Sequence, residues 1–319
     1  MTVGDSRSSA LSPPPTGRSG PDHREVHHAE SPGGRGHREV HHDESPGGRD
    51  HREVHRAGQD IDVPRAPVPL LRVEHVTKRF GGIRAVGDVT FTVGRGESVG
   101  LVGPNGAGKT TLFNCICGQL RPDAGQVTLD GTLLDGLPTY KRARLGVGRT
   151  YQRAEVFPDM TVGEHLIVAE RARHGGPHLW RDLCHRSAPT PAERRRVAEV
   201  LELVGIPGWE DRPVSSLGLG SCRLVELARA LANEPVLLLA DEPSSGLDAR
   251  ETHELAAVLR TLQRERGMAL LLVEHDLSMV EAAVDRAIVM DLGVVIATGT
   301  FDQVMADPAV RIAYLGMGA

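Results

Sequence analysis

Gly103-Pro104-Asn105-Gly106-Ala107-Gly108-Lys109-Thr110 forms the most specific pattern in this chain of 319 residues. Every position fits the G-x-x-x-x-G-K-[ST] pattern of a phosphate-binding loop. The apolar run 98–102 before it predicts a buried strand, and residues 111–120 after it predict a helix. The loop would therefore lie at a helix N-terminus, where free backbone N–H groups and the helix dipole attract anions.

The same pattern assigns roles to the side chains of a nucleotide site. Lys109 would reach the β- and γ-phosphates, and the Thr110 hydroxyl would coordinate Mg²⁺. Thr111 adds a donor to the α-phosphate. The glycines would allow the backbone to approach the phosphates without a Cβ clash.

A second signal is the apolar run 236–240, which ends in the two carboxylates Asp241 and Glu242. At the end of a strand, Asp241 could hold Mg²⁺ through water, and Glu242 could orient the water that attacks the γ-phosphate. His275 follows another apolar run, 270–273. At the carboxyl end of a parallel strand it could contact the γ-phosphate, although a lone histidine is also common as a structural residue.

A glycine-rich turn at residues 215–221 precedes the predicted helix 222–232. The amides near Gly218, Gly220 and Ser221 could bind a phosphate at the exposed helix start. The same residue types also begin ordinary helices, so both interpretations stay open.

Composition limits the classes of function. The formal net charge of −5 provides no electrostatic footprint for nucleic acid, and no apolar run approaches the roughly 18 residues that span a bilayer. The N-terminus lacks the pattern of a secretory signal, which favours the cytoplasm. The four cysteines, Cys115, Cys117, Cys184 and Cys222, lack a metal-type spacing and are expected to be small packing residues.

Residues 1–68 differ in composition from the rest of the chain. The segment 23–28, His-Arg-Glu-Val-His-His, recurs at 37–42 and, in part, at 51–55, with a period of fourteen residues. A unit this polar buries too little to offset its ordering entropy, so we predict a disordered, histidine-rich extension. Metal binding by the repeat is a weaker alternative.

The remaining residues, 69–319, alternate between strand and helix patterns. The sequence predicts a mostly parallel α/β core with a small antiparallel layer, an inserted helical segment at about 153–233 and an irregular linker at about 174–190. Strands are predicted at 71–76, 85–93, 98–102, 126–129, 236–240 and 269–273, and helices at 111–120, 161–172, 191–204, 222–232 and 250–265.

The order of these motifs resembles that of the ATP-binding-cassette (ABC) ATPases over residues 70–318. The resemblance implies the P-loop NTPase fold of those enzymes and the use of ATP with Mg²⁺. It also implies that Phe80 stacks on adenine and that Gln152 contacts Mg²⁺ and the attacking water. Residues 244–248, which end at Asp248, would cross to a second subunit, so that two chains enclose two ATP molecules.

More closely, the chain resembles the ATPase subunits of branched-chain amino acid importers, and in particular the first of that system's two ATPases. The resemblance rests on residues 80–85, 148–152, 156–161, 272–276 and 313–316. It implies membrane permease subunits, a second ABC ATPase or a homodimer, an indirect solute-binding partner and a position on the inner face of the cell membrane. The permease would dock near residues 154–173, with Phe157, Met160 and Val162 as candidate contacts or as ordinary buried residues.

Three alternatives stay open at this stage. A lipopolysaccharide-export ATPase shares much of the pattern, and a regulatory subunit could bind ATP with little hydrolysis of its own. An ABC ATPase that acts on ribosomes or DNA is disfavoured, because the chain contains neither a second cassette nor a long coiled-coil insertion.

One departure from the family bears on hydrolysis. The usual Leu-Ser-Gly-Gly-Gln signature aligns with Leu-Gly-Leu-Gly-Ser at residues 217–221, so the serine hydroxyl and the glutamine amide are missing. Loss of one preorganised donor can lower a rate by about 10² to 10³. We therefore expect slow hydrolysis by a homodimer and pairing with a different ATPase that carries a fuller signature.

Overall fold

The computed structural model describes residues 68–150, 157, 159–174 and 188–315. The predictions for the N-terminal repeat, for Gln152, for Cys184 and for most of the 174–190 linker concern residues outside these ranges. Within them, no helix combines the length and the apolar character needed to cross a bilayer.

An antiparallel sheet of four strands contains the start of the described chain. Its order is β2-β1-β4-β5, and Leu71 of β1 pairs with Val93 of β2 and with Leu129 of β4. The strands are β1 (Leu71–Phe80), β2 (Ile83–Val93), β4 (Ala124–Leu129) and β5 (Thr132–Leu133).

A second, six-stranded sheet carries the phosphate loop. Its order is β10-β9-β3-β8-β7-β6, with all neighbouring strands parallel except β10, which runs antiparallel to β9. The strands are β3 (Ser98–Val102), β6 (Val147–Arg149), β7 (Leu237–Asp241), β8 (Ala269–Val273), β9 (Arg286–Asp291) and β10 (Val294–Gly299).

Helices connect and cover these strands. Helices α3, α4 and α5 pack on one another; that residues 153–233 form a separate helical subdomain stays a prediction. The helices are α1 (Lys109–Cys117), α2 (Thr139–Arg144), α3 (Val162–His174), α4 (Pro191–Leu203), α5 (Leu219–Leu231), α6 (Ala249–Arg266), α7 (Leu277–Ala283), α8 (Phe301–Ala306) and α9 (Pro308–Leu315).

The central strands β3, β7 and β8 of the six-stranded sheet are buried on both faces, as their continuous apolar runs predict. Side chains alternate along β7, so that Leu237 and Leu239 join one core cluster while Leu238 and Ala240 join the other. The first cluster also contains the antiparallel sheet and α1, and the second contains α3 to α6. The ends of β3, β7 and β8, which carry the predicted site residues, are therefore held in a packed core.

All of the strands predicted above are found, and each predicted helix is found with shifted bounds. The helix predicted at 111–120 begins at Lys109 and ends at Cys117, because Gly118 adopts a left-handed conformation and caps it. The helix predicted at 222–232 begins at Leu219. Gly220 and Ser221 therefore lie in the first helical turn and not in the preceding loop.

Candidate functional site

The phosphate loop takes its shape from two glycines that no other residue could replace. Gly103 has φ 147°, and a Cβ there would lie 2.1 Å from the carbonyl oxygen of Met290. Gly108 has φ 96°, and a Cβ there would lie 2.2 Å from the carbonyl oxygen of Ala85. Positive φ and close backbone contacts both require glycine. Gly106 also has a positive φ, of 84°, but faces open space.

Lys109 is the first residue of α1, and its side chain folds back over the loop. It is 5% exposed, and its Nζ donates to the carbonyl oxygens of Gly103 at 2.6 Å and Pro104 at 3.0 Å. Burial lowers the pKa of Lys109, and the nearby carboxylates of Glu242, Asp241 and Glu274 oppose that shift. The phosphate loop and the acidic pair therefore lie within electrostatic range of each other.

Asp241 is the last residue of β7 and is almost fully buried. Burial raises the pKa of its carboxyl group, while the guanidinium of Arg149 opposes that shift. The Arg149 Nη2 atom lies 3.6 Å from Asp241 Oδ2, and the guanidinium lies over the Phe113 ring at 4.9 Å. Arg149 is thus a counter-charge that the sequence analysis missed.

Glu242 follows β7 with φ 47°, a left-handed conformation that is unusual for a glutamate. Its N–H donates to the carbonyl oxygen of Val273, at the end of β8, over 2.8 Å. Its carboxylate Oε2 lies 3.9 Å from Nδ1 of His275. The acid and the histidine, predicted from separate strands, are neighbours in the fold.

Glu274 connects these two strand ends and was not assigned a role from the sequence. It is 0% exposed, and its carboxylate accepts from the backbone N–H of Ser244 at 2.9 Å and of His275 at 3.2 Å. Burial raises the pKa of Glu274, and these hydrogen bonds oppose that shift. A charged residue at the end of an apolar strand, beside His275, was the available signal in the sequence.

Arg142 is a further residue whose role is visible only in the fold. It is 3% exposed, and its Nη1 donates to the carbonyl oxygens of Cys115 at 2.9 Å and Ile116 at 2.7 Å. A cation at the C-terminus of α1 satisfies orphan carbonyls and complements the helix dipole. It therefore anchors the helix that begins at the phosphate loop.

The other predicted nucleotide contacts differ in exposure. Asn105 and Thr110 are exposed, Thr111 is half-buried, and Ala107 is buried beneath the loop. Phe80, at the end of β1, exposes 46% of its surface, and Lys78 Nζ lies 5.7 Å from its ring centroid. An exposed ring at the edge of the antiparallel sheet is free to stack on a planar base.

The signature turn, which we define as residues 217–221, lies beside the start of α6. Gly218 is the N-cap of α5 and has no side-chain hydrogen bond, and Leu219 exposes 45% of its surface. A Cβ on Gly220 would lie 2.5 Å from Glu251 Oε1, and a Cβ on Gly246 would lie 2.8 Å from Leu219 Cδ2. The turn therefore packs tightly against the 244–248 segment of its own chain.

Asp248 has a structural task in addition to its predicted one. It is the N-cap of α6, where its Oδ1 accepts from the N–H of Glu251 at 2.8 Å. The N–H of Asp248 in turn donates to Glu251 Oε2 at 3.1 Å, which completes a capping box.

The candidate permease contacts separate into exposed and buried side chains. Phe157 is 60% exposed and stacks on His165, with ring centroids 5.7 Å apart. Met160 is half-buried and Val162 is 0% exposed. Val162 therefore packs in the core, and of these three residues Phe157 presents the most surface to a partner.

The residues present fit a magnesium ion that arrives with a nucleotide. In the described ranges, no group of three or more His, Cys, Asp or Glu side chains is arranged to hold a metal ion by itself. Mg²⁺ usually takes one or two carboxylates together with waters and substrate phosphates. Asp241 and the Thr110 hydroxyl are donors of that kind, and phosphates would complete the set.

Two protein families match the chain. The family described as "ABC transporter" matches residues 86–245, and the one described as "Branched-chain amino acid ATP-binding cassette transporter" matches residues 294–316. The first match contains the phosphate loop, the signature turn and the acidic pair. The second contains β10, α8 and α9.

Two curated relatives illustrate the similarity. The high-affinity branched-chain amino acid transport ATP-binding protein BraF of Pseudomonas aeruginosa is 38% identical over 255 residues, which cover 78% of this chain and 98% of BraF. The lipopolysaccharide export system ATP-binding protein LptB of Haemophilus influenzae is 37% identical over 248 residues, which cover 77% of this chain and 97% of LptB.

Solved structures share the fold. The ADP conformation of MJ1267, an ATP-binding cassette of an ABC transporter, superposes with a TM-score of 0.71 at 29% identity and covers 78% of this chain and 99% of its own. A dimeric post-hydrolysis state of the cassette MJ0796, bound to ADP and Pi, superposes with a TM-score of 0.62 at 25% identity and covers 72% and 98%. These structures confirm the predicted ABC ATPase fold.

Proposed function

This chain belongs to the ABC transporter ATPases, and we propose that it energises the import of branched-chain amino acids, or related small polar solutes, through separate membrane subunits. The observation that carries the proposal is that the phosphate loop follows β3 and that Asp241 and Glu242 lie at the end of β7, so that the parallel β3–β8–β7 pairing brings them to the same edge of the sheet. This arrangement supports a site in which an anion-binding loop and a candidate general base act on the same ligand.

In the proposed site the loop binds the phosphates of ATP. Backbone N–H groups at the start of α1 and the Lys109 ammonium would replace water around the β- and γ-phosphates. Release of Lys109 from the carbonyls of Gly103 and Pro104 would free its donors for the ligand. When bound, Mg²⁺ would neutralise charge on the β- and γ-phosphates, with Asp241, Thr110 and Gln152 as its proposed protein contacts.

Hydrolysis would depend on the neighbours at the ends of β7 and β8. Glu242 would accept a hydrogen bond from water as the water oxygen bonds to the γ-phosphorus and the bond to the bridging oxygen breaks. His275 would contact the γ-phosphate from the other side, and Gln152 would contact the attacking water. Glu274 would hold the backbone of Ser244 and His275 in position.

A second ABC ATPase subunit, or a second copy of the chain, would complete each site. The dimer of the related cassette MJ0796 with ADP and Pi supports such an assembly. In it, the signature turn of one chain, with Gly218, Gly220 and Ser221, would face the phosphate loop of the other. The 244–248 segment packs against the signature turn, which supports the proposal that Asp248 lies near the subunit boundary.

The match at residues 294–316 favours import of branched-chain amino acids over the alternatives. We place the chain on the inner face of the cell membrane, bound to permease subunits and served indirectly by an extracytoplasmic solute-binding protein. No nucleic-acid partner is proposed. The similarity to LptB keeps a lipopolysaccharide-type exporter as a second candidate. The departures in the signature turn favour a third, an ATP-binding regulatory subunit with little hydrolysis of its own.

The test replaces Glu242 with glutamine, which keeps the shape and removes the base. We expect Glu242→Gln to lower phosphate release at least 100-fold, in the isolated chain and in the assembled transporter, while ATP binding is retained. Glu265→Gln, at an exposed position on α6, is the matched control. Unchanged phosphate release by Glu242→Gln would show that Glu242 is not the catalytic base.

A second experiment separates the importer from the exporter. The complex is reconstituted with its membrane subunits, and leucine uptake and lipid export are both measured. Leucine uptake supports the importer, and lipid export supports the exporter.

A further inference from the structure

A cleft of about 350 Å³ opens at the end of the six-stranded sheet that is opposite to the phosphate loop. Val236 and Met268, which precede β7 and β8, form one wall, and α4 forms the other. These five-residue strands separate the cleft from Asp241 and Glu274 by about 17 Å. A volume of this size is at the lower end of the range for small-molecule sites.

Apolar side chains form part of the inner surface of the cleft, beside charged ones. Its walls include Val200, Leu231, Leu262 and Met268, all buried in the core. Val236 faces the same space and exposes 41% of its surface, which is high for a valine next to a core strand. The cleft therefore offers an aliphatic group a place to leave water, at about 25 cal/mol for each Å² buried.

Most of the charges at the mouth of the cleft neutralise one another. Arg196 and Arg173 both contact the carboxylate of Glu234, and Arg95 contacts Asp130. Two lining charges of opposite sign are left, Arg266 at the end of α6 and Glu199 on α4. Within residues 68–150, 159–174 and 188–315, no hydrogen bond or ion pair engages either of their side chains.

A cleft that combines aliphatic walls with one available cation and one available anion matches a zwitterion with an aliphatic side chain. We propose that this cleft binds an aliphatic α-amino acid. Arg266 would pair with the carboxylate, Glu199 would pair with the ammonium group, and the side chain would contact Val200, Leu231 and Met268. Charge-assisted hydrogen bonds of this type are the strong ones in proteins.

The position of the cleft suggests what occupancy does. A ligand in it contacts α4 and the starts of β7 and β8, so it ties the helices α3 to α5 to the sheet that carries the catalytic carboxylates. The ligand class coincides with the proposed cargo, and a role as a sensor of imported product rests on the proposed function. Binding of the amino acid in the cleft does not depend on the proposed function.

The test is calorimetric titration of the full chain with L-leucine in the absence of nucleotide. We expect one leucine per chain, and at least about tenfold weaker binding to Arg266→Ala and to Glu199→Ala. Arg264→Ala and Glu202→Ala are matched controls, because both residues are exposed on the same helices and neither lines the cleft. Equal affinity of all four variants, or no heat with the wild-type chain, overturns the proposal.

Analogues of the ligand separate the two charges. 4-Methylpentanoate, which lacks the ammonium group, should bind the wild-type chain at least tenfold more weakly than leucine and should be insensitive to Glu199→Ala. If it binds as tightly as leucine, the assignment of Glu199 is wrong. ATP binding is measured on the same samples, so that loss of leucine binding with ATP binding intact refutes this inference alone.

The chain's own N-terminal segment is the competing occupant, because Leu70 lines the cleft and residues 1–67 precede it. BraF matches over 98% of its length within 78% of this chain, which indicates that the cassette folds without a long extension. A chain that lacks residues 1–60 is therefore titrated in parallel. If leucine binds only to the shortened chain, the extension occupies the cleft and the proposal is overturned.

Discussion

Restoring the signature turn is the perturbation that tests the proposed chemistry most directly. Gly218→Ser together with Ser221→Gln returns the hydroxyl and the amide that the chain lacks relative to the ABC signature. The fold accepts both changes, because a Cβ on Gly218 meets nothing within 4 Å and Ser221 is only half-buried. A third change, Leu219→Gly, removes an exposed leucine from the turn.

The expected effects on stability and on rate differ in size. Gly218 is the N-cap of α5 and Ser221 is three residues later, so the double change creates an S-x-x-Q capping box and should alter the free energy of unfolding by about 1 kcal/mol or less. One preorganised donor to a transition state affects a rate by about 10² to 10³. We therefore expect phosphate release by the homodimer to rise by about 10² or more.

Phosphate release is measured at saturating ATP and Mg²⁺ over a series of chain concentrations, because the composite site requires a dimer. Addition of Glu242→Gln to the restored chain should abolish the gain, which shows that the new rate arises from the proposed site. The contradicting outcome is a chain with Gly218→Ser and Ser221→Gln that folds and binds ATP but hydrolyses it within threefold of the wild-type rate. In that case the missing donors do not limit hydrolysis. Pairing with a fuller signature would then lose its rationale.

Two further predictions concern stability. The guanidinium of Arg171 and the capping box of α4 lower the pKa of Glu193 from 4.5 to about 2, so its carboxylate stabilises the fold above pH 4.5 and this contribution disappears as the pH falls towards 2. Glu193→Gln should lower the free energy of unfolding in urea by about 2 to 3 kcal/mol at pH 7 and by clearly less at pH 3.5; an equal loss at both pH values contradicts the assignment. Glu274→Ala leaves the buried amide of Ser244 and the part-buried amide of His275 without this acceptor and should cost about 2 to 5 kcal/mol in the same assay, whereas the exposed Glu281→Ala should cost less than about 0.5. A loss below 1 kcal/mol for Glu274→Ala would mean that water or relaxation satisfies those amides.

Much of this fold is predictable because its strands are short apolar runs with clear ends. The runs at β3, β7 and β8 are buried on both faces, so their composition alone identifies them. The predicted positions of two helix starts were less accurate, because these helices begin at Lys109 and Leu219. Gly218 and Gly108 are N-caps without side-chain hydrogen bonds, and a glycine in that position resembles a loop residue.

The buried polar contacts could not be predicted in the same way. Arg149, Arg142 and Glu274 act through partners 20 to 100 residues away in the sequence, on elements whose register is set only by packing. β6 and α2, which carry the two arginines, are three and six residues long and have too few positions for a periodic pattern. Charged residues in short elements are usually solvated, and only the fold reveals that Arg142 and Glu274 are buried and that Arg149 is partly buried.

The backbone conformation of Glu242 links the fold to the proposed chemistry. A glutamate at φ 47° costs about 1 to 3 kcal/mol, and such strain persists only where the surroundings over-determine it. Here Asp241 pairs with Val273 in the parallel ladder, the Glu242 N–H donates to Val273, and its carbonyl accepts from Ser245 at 3.1 Å. These bonds fix the backbone turn on a buried strand end, and the carboxylate lies 3.9 Å from His275 Nδ1. If Glu242 is the proposed base, a backbone held in this way reduces the rearrangement needed at the moment of attack, which is the condition under which electrostatic catalysis is effective.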